Sequence, residues 1–338
     1  MACMEPLTFI WPGESPGTTV RPAREPEEIE SRADLLLIDS RVEALWGARL
    51  SWNKPRVVIP GGEACKTHEN LVKLWKSFAE AGINRESAVC VTGGGSVCDL
   101  GALAASTWMR GVGLELVPTT LLCMADACLG GKTALNLSGV KNQVGTFHPA
   151  ETITICTAFL KTLPEAELLS GKAEVVKTGL IGDRKACDAI LRGDCNEAVS
   201  RCLSVKGRIV RQDLNDRGVR KILNLGHTLG HALEMLLSIS HGEAVALGIP
   251  AAARMGGEND LALELESTIA ALGLPTRLSR PPEAEEVMPL IRRDKKTTGD
   301  GRVWVIPRGW EDCRLEMIPP DREEKLLREA LKALGHDR

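Results

Sequence analysis

Short apolar runs alternate with amphipathic stretches through the first half of the chain. Leu35-Leu36-Leu37-Ile38, Val57-Val58-Ile59, Val89-Cys90-Val91, Leu114-Glu115-Leu116-Val117 and Thr152-Ile153-Thr154-Ile155 have the length and aliphatic character of strands. Between the second and third runs Leu71, Leu74, Phe78 and Ala81 recur at helical spacing, with Thr67 placed to cap the helix and Gly82 to end it. Strands and helices in alternation predict βαβ crossovers, and so a mostly parallel sheet covered by helices. After Leu163-Pro164 the pattern changes: residues 165–191 and 222–237 read as helices, and a strand signal returns only at 302–306. The expectation is an α/β domain over residues 1–164 and a mainly α-helical domain over 165–338. The Pro- and Glu-rich stretch 12–30 and the Pro-rich stretch 275–282 read as connectors.

Composition removes several classes of function. The chain has 338 residues, 43% of them hydrophobic, enough for extensive buried cores. A formal net charge of -3 gives no basic field for a nucleic-acid backbone, and aromatics at 3% leave no stacking platform for single strands. Tyr is absent, so acid–base work falls to His, Lys, Asp, Glu or Cys. No run approaches the roughly 18 apolar residues of a membrane span, and residues 1–17 lack the pattern of a secretory signal, so the expectation is a soluble cytoplasmic protein. The 11 cysteines lack CxxC spacing and read as buried thiols.

Chemistry concentrates in a few segments. Gly93-Gly94-Gly95-Ser96-Val97-Cys98-Asp99 follows a strand and opens a helix, where bare backbone N–H groups suit a pyrophosphate. The spacing is not GxGxxG, and a plain tight turn explains the same glycines. Asp39, just after a strand, suits a ribose diol and would repel a 2′-phosphate, favouring NAD over NADP; as a single residue it also reads as a turn. Gly131-Lys132-Thr133 looks like the end of a Walker A loop, but Asp126 stands where that motif needs its first glycine, so an NTPase is rejected.

Asn224-Leu225-Gly226-His227-Thr228-Leu229-Gly230-His231 and His241-Gly242-Glu243 put three of the six histidines within fifteen residues. His227 and His231 share a helical face, and Glu174 lies on an earlier helix with Lys177 one turn on. Two or three of these His with a carboxylate suit a catalytic Zn2+; spacing does not say which His bind. Arg110, Lys132, Lys141, Lys177, Lys206, Arg220, Lys295 and Lys296 punctuate the motifs and point to an anionic substrate.

In order, the segments resemble the 3-dehydroquinate synthases, sugar-phosphate cyclases of the shikimate pathway, from about Asp39 to Pro307. The most specific pieces are Met109-Arg110-Gly111, Val117-Pro118-Thr119-Thr120-Leu121-Leu122, Gly130-Gly131-Lys132-Thr133 and Lys141-Asn142. Ala173-Glu174-Val175-Val176-Lys177, Leu223-Asn224-Leu225-Gly226-His227-Thr228, His241-Gly242-Glu243-Ala244 and Asp294-Lys295-Lys296 follow.

The resemblance implies a Rossmann-like NAD-binding domain followed by a helical metal-binding domain. It implies Zn2+, or Co2+, on Glu174, His227 and His241, and NAD+ near Asp39, Glu63, Lys66, Gly94, Gly95, Asp99, Thr119, Thr120, Lys141, Thr162 and Glu167. It places Arg110, Asp126, Lys132, Asn142, Lys177, Lys206, Arg220, Asn224, His231 and Lys296 around the substrate, which moves His231 from the metal to the phosphate pocket.

The implied substrate is 3-deoxy-D-arabino-heptulosonate 7-phosphate, turned into 3-dehydroquinate and phosphate by transient oxidation, phosphate elimination, re-reduction and intramolecular aldol closure. A homodimer is expected with it. Other readings are a cyclase making an aminodehydroquinate, a valiolone or an inosose, and a metal-dependent polyol dehydrogenase that consumes NAD+. The chain departs from the family pattern at Ala127-Cys128, where a Ser pair is frequent, at Thr178, where an aromatic is frequent, and at Asp216, where Glu is usual.

Overall fold

The computed structural model of the chain describes residues 4–13, 17–293, 297–298 and 301–335. It opens with β1 (Leu7–Phe9) and β2 (Thr18–Pro22), then β3 (Leu35–Asp39), α1 (Ser40–Trp46), β4 (Arg56–Ile59), α2 (His68–Glu80), β5 (Ala88–Gly93), α3 (Gly95–Thr107) and β6 (Gly113–Pro118). A hairpin of β7 (Leu135–Leu137) and β8 (Val140–Val144) precedes β9 (Thr152–Ile155).

Seven strands form one sheet in the order β1-β2-β9-β6-β5-β3-β4, parallel throughout except where β1 meets β2. Leu35, Leu37, Ile38, Val89 and Val91 are fully buried, as strands covered on both faces require. α2 lays Leu71, Leu74 and Phe78 into the core, and the Thr67 hydroxyl accepts the Asn70 N–H at its start. The sequence reading of 12–30 as a connector is corrected: β2 lies within it and pairs with β9, burying Val20. Its Thr-Thr-Val-Arg-Pro sequence is too polar to stand out as a strand.

After Pro164 the chain runs through α4 (Glu165–Gly182), α5 (Arg184–Leu191), α6 (Cys195–Gln212), α7 (His227–Leu237), α8 (His241–Met255), α9 (Asn259–Ala271) and α10 (Ala284–Arg293). Then come β10 (Thr297–Thr298), β11 (Gly301–Gly309), β12 (Asp312–Ile318) and α11 (Pro320–Ala333). The stretch read as one helix over 165–191 is two, because Asp183 leaves the helical conformation and its side chain caps α5 by accepting the Lys185 N–H. The stretch 222–237 likewise becomes a 3-10 turn, Val219–Asn224, and then α7, with Gly226 at φ +75° between them.

Two compact units result: residues 1–164 with 195–215, and residues 165–194 with 216–338. The first thus takes in α6, which the sequence reading assigned to the helical half. A Cβ at Gly207 would overlap the Phe9 ring, so α6 lies tightly against β1.

In the second unit Leu233, Leu247, Ala251, Val287, Ile306 and Leu327 join one core among α7, α8, α10, α11 and the β11–β12 hairpin. Glycines bring α8 unusually close to its neighbours. A Cβ at Gly242 would collide with Ser170 of α4, and one at Gly248 with the Gly226 carbonyl that precedes α7. Those two contacts hold the first two turns of α8 beside α4 and α7. Among the described residues no helix is long and apolar enough to cross a membrane.

Candidate functional site

The first unit gathers polar groups at the carboxyl ends of β3 and β5. The chain runs from β3 outward to β4 and then returns to β5 on the other side of β3, so the strand order reverses there, a position where open α/β sheets bind ligands. Asp39 ends β3 and Gly93 ends β5. A Cβ on Gly93 would come 3.3 Å from that of Asp39. The Asp39 carboxylate accepts the Arg41 N–H at 2.8 Å and caps α1.

Gly94 is the N-cap of α3 and Gly95 its first residue. A Cβ on Gly94 would lie 3.0 Å from the Thr120 methyl, so a larger residue would fill the space in front of the helix end. Thr119 donates its backbone N–H to Gly93 at 2.9 Å, and the Thr120 hydroxyl accepts the Cys123 N–H at 3.2 Å. Thr162 is tied to Trp46 of α1 by a 2.8 Å bond; Glu167 belongs to the second unit, exposed in the first turn of α4.

Lys66 is 2% exposed and organises the next cluster. Its ammonium lies 2.8 Å from Asp99 and 3.5 Å from Glu63, and it also donates to the Asn142 side-chain oxygen. Burial pushes the Asp99 carboxyl above the usual carboxylate range, against the pull of Lys66. Glu63 accepts from Ser96 at 2.9 Å and from Asn136 at 2.8 Å. Asn142, at φ +54°, and the exposed Lys141 lie on β8.

Asp126 sits in a π-helical turn, Cys123–Ala127, and is ion-paired to the buried Lys206 of α6. Arg110 is exposed at φ +73°, between Met109 at +48° and Gly111 at +117°, a run of left-handed conformations that costs energy at the two non-glycine positions. Lys132 is exposed and bridges to Phe147.

In the second unit Glu174, His227 and His241 converge. One ligand atom from each lies within 4.8 Å of the others. Glu174 Oε1 is 3.3 Å from His227 Nε2 and 3.1 Å from His241 Nε2, while Oε2 is 2.5 Å from the ammonium of Lys177. Burial by itself would raise the Glu174 pKa, but Lys177 and the two imidazoles outweigh it and hold the carboxyl well below the usual range. Burial likewise opposes charge on His241, yet Glu174 and Glu234 raise its pKa to about 9.

The two imidazoles are oriented from behind. His227 Nδ1 is 3.0 Å from the Leu225 carbonyl and His241 Nδ1 is 3.1 Å from Glu234. Each ring therefore presents Nε2 to the same point. Among the described residues, the buried Glu174 Oε2 accepts no well-aligned hydrogen bond. One carboxylate and two imidazole nitrogens form a donor set that fits Zn2+ or Co2+. His231, exposed on α7, has its ring centre 5.2 Å from that of His227 and 6.1 Å from that of His241, outside the three-atom group. Arg220 is buried in the turn before α7, where the Asn224 amide donates to the Lys221 carbonyl at 3.0 Å. Lys296 lies outside the described residues.

The profile of the 3-dehydroquinate synthase N-terminal family matches residues 56–170, and that of the 3-dehydroquinate synthase C-terminal family matches residues 171–297. The chain belongs to the 3-dehydroquinate synthase family. A 3-dehydroquinate synthase of Thermococcus kodakarensis is 39% identical over 320 residues, covering 92% of each chain. One of Xanthomonas campestris is 36% identical over 349 residues, covering 94% of each.

Among solved structures, a 2-epi-5-epi-valiolone synthase from Streptomyces hygroscopicus with NAD+ and Zn2+ bound superposes with a TM-score of 0.85 at 23% identity, covering 96% of this chain and 98% of that one. A 2-deoxy-scyllo-inosose synthase complexed with carbaglucose-6-phosphate, NAD+ and Co2+ gives 0.80 at 23%, covering 96% and 100%. At such identities these two show the fold.

Sequence reasoning missed Glu234. It stands three residues after His231 in a helix with exposed Met235 and Leu236, where a lone acid reads as a solvated surface group.

Proposed function

We propose that the protein converts 3-deoxy-D-arabino-heptulosonate 7-phosphate to 3-dehydroquinate and phosphate, as a phosphorus–oxygen lyase with NAD+ and Zn2+, or Co2+, as cofactors. Family membership over both halves supports the reaction. The observation that carries the reading is the convergence of Glu174, His227 and His241 on one point beside the buried ammonium of Lys177. When bound, the metal supplies Lewis acidity and NAD+ a reversible hydride acceptor for transient oxidation of a secondary alcohol.

Glu174, His227 and His241 hold the metal in this reading. Asp39, Glu63, Lys66, Gly94, Gly95, Asp99, Thr119, Thr120, Lys141, Thr162 and Glu167 serve the cofactor. Asp39 and Gly94 fit because a ribose diol needs an acceptor and a pyrophosphate needs backbone N–H groups without a side chain in front of them. Thr162 and Glu167 rest on the family resemblance alone.

Arg110, Lys132, Lys177 and Lys296 neutralise the substrate phosphate, and Asn142, Asn224 and His231 donate to its oxygens. Asp126, Lys206 and Arg220 complete the substrate set. These contacts position the leaving phosphate so that one of its own oxygens takes the C6 proton, which accounts for acid–base chemistry without a Tyr. Asn224→Ala then lowers turnover and raises the Michaelis constant together, because positioning and binding use the same contact. We further propose a homodimer, which sedimentation tests, and a cytoplasmic setting, supported by the lack of any disulfide among the described cysteines.

The direct experiment measures phosphate release from the heptulosonate phosphate by protein loaded with Zn2+ and NAD+. Release with formation of dehydroquinate supports the reading; no release while a sugar phosphate of the valiolone or inosose type reacts refutes it.

A further inference from the structure

We propose that Glu234 is a positioning residue for the metal centre: its carboxylate accepts the Nδ1 proton of His241 and so fixes the tautomer and ring angle that leave Nε2 as the ligand atom. The inference rests on the metal reading of Glu174, His227 and His241 and adds to it a residue that meets His241 at Nδ1, the ring nitrogen turned away from Glu174.

Three observations carry it. Glu234 Oε2 lies 3.1 Å from His241 Nδ1, on the opposite side of the ring from Glu174, which meets Nε2 at 3.1 Å. A neutral imidazole has one N–H, so a ring whose Nε2 takes a cation carries its proton on Nδ1, where Glu234 is the acceptor. The other imidazole is held differently, since His227 Nδ1 faces the neutral carbonyl of Leu225 at 3.0 Å. The two rings thus have unequal support, one from a dipole and one from a charge.

The asymmetry follows from where each ring sits. His241 is the first residue of α8, and Ser240 and Glu243 close a capping box around that helix end. The positive end of a helix withdraws electron density from a nearby imidazole and weakens it as a donor. An anion at Nδ1 restores that basicity. Glu234 is also the mechanical link. It sits on the second turn of α7, so its bond to His241 spans the connection between α7 and α8 and fixes the ring against both helices. The Glu234 side chain is only 16% exposed, so solvent screens its contact with His241 little.

The test uses the full chain, stripped with a chelator and titrated with Zn2+ in competition with a chromophoric chelator, and separately with Co2+ while its visible absorption is recorded. The parent, E234Q, E234A and H241A are compared. E234A is expected to bind Zn2+ about 10- to 100-fold more weakly than the parent, with an altered Co2+ band. E234Q keeps an acceptor without the charge and is expected to fall between the two; it also serves if E234A fails to fold. Parental Zn2+ affinity and Co2+ spectrum in E234A, or in E234Q where E234A does not fold, overturn the proposal provided H241A has lost affinity. Parental affinity in H241A instead overturns the metal reading beneath it.

Discussion

Lys177 stands one helical turn beyond Glu174 and places its ammonium 2.5 Å from Oε2, on the side away from the oxygen that faces His227 and His241. Both side chains are about 2% exposed. One carboxylate is thereby divided between a fixed cation and a point where two imidazoles meet. Among the described residues, Lys177 places a permanent positive charge in contact with it.

That division predicts a stability effect that depends on metal. Lys177→Met removes a buried partner and leaves Glu174 short of compensation, at a cost of about 3 kcal/mol in the metal-free protein. Bound Zn2+ neutralises the same carboxylate, so the loss should shrink in the loaded protein. Thermal melts of both variants, with and without Zn2+, check this. An equal loss in the two states contradicts the picture of Glu174 as the shared ligand.

Two glycines of α3 should behave oppositely. Gly94→Ala adds a methyl 3.0 Å from Thr120 at the open end of the helix, and NAD+ affinity should fall about tenfold, roughly 1.4 kcal/mol, with little change in melting. Gly101→Ala pushes a methyl within 2.7 Å of Leu37 and Val91 in the core and should cost about 1–3 kcal/mol of stability instead. Nucleotide titration and denaturant unfolding of both variants separate the two effects. Loss of affinity in Gly101→Ala alone would put the cofactor elsewhere.

Cys65, Cys90 and Cys156 should be inert in the native state. Burial pushes Cys65 and Cys156 up to about 11 and Cys90 up to about 12. At pH 8 a thiol with a pKa near 11 is thiolate in about one molecule in a thousand. Because the shift is upward, reactivity should rise with pH only well above 9. Alkylation between pH 7 and 9, followed by peptide mass analysis, should leave these three unmodified until denaturant is added. Rapid labelling of Cys65 in the folded protein contradicts its burial.

Much of the first unit was legible because a parallel strand is buried on both faces and must be apolar almost throughout, as Leu35-Leu36-Leu37-Ile38 is. β2 escaped because its partners supply the apolar cover while its own sequence is mostly polar. The placement of α6 was missed because it packs within the first unit against β1 and the turn that carries Asp126, partners distant in sequence that no local pattern encodes. The histidine cluster was visible in composition and spacing. Which imidazoles face Glu174 was not, since that depends on Gly242 and Gly248 letting α8 close on α4 and α7. Glu234 was invisible for a related reason: its partner His241 lies seven residues on, across a break between helices.

A redox-neutral elimination recycles NAD, so the stoichiometry of one reaction mixture separates it from a dehydrogenation. Zn2+-loaded protein is given the heptulosonate phosphate in large excess over NAD+, and phosphate, dehydroquinate and NADH absorbance are followed together. Phosphate and dehydroquinate are expected to form in equal amounts, many turnovers per NAD+, with no net NADH. Accumulation of NADH one for one with product would contradict NAD recycling and make the protein a dehydrogenase.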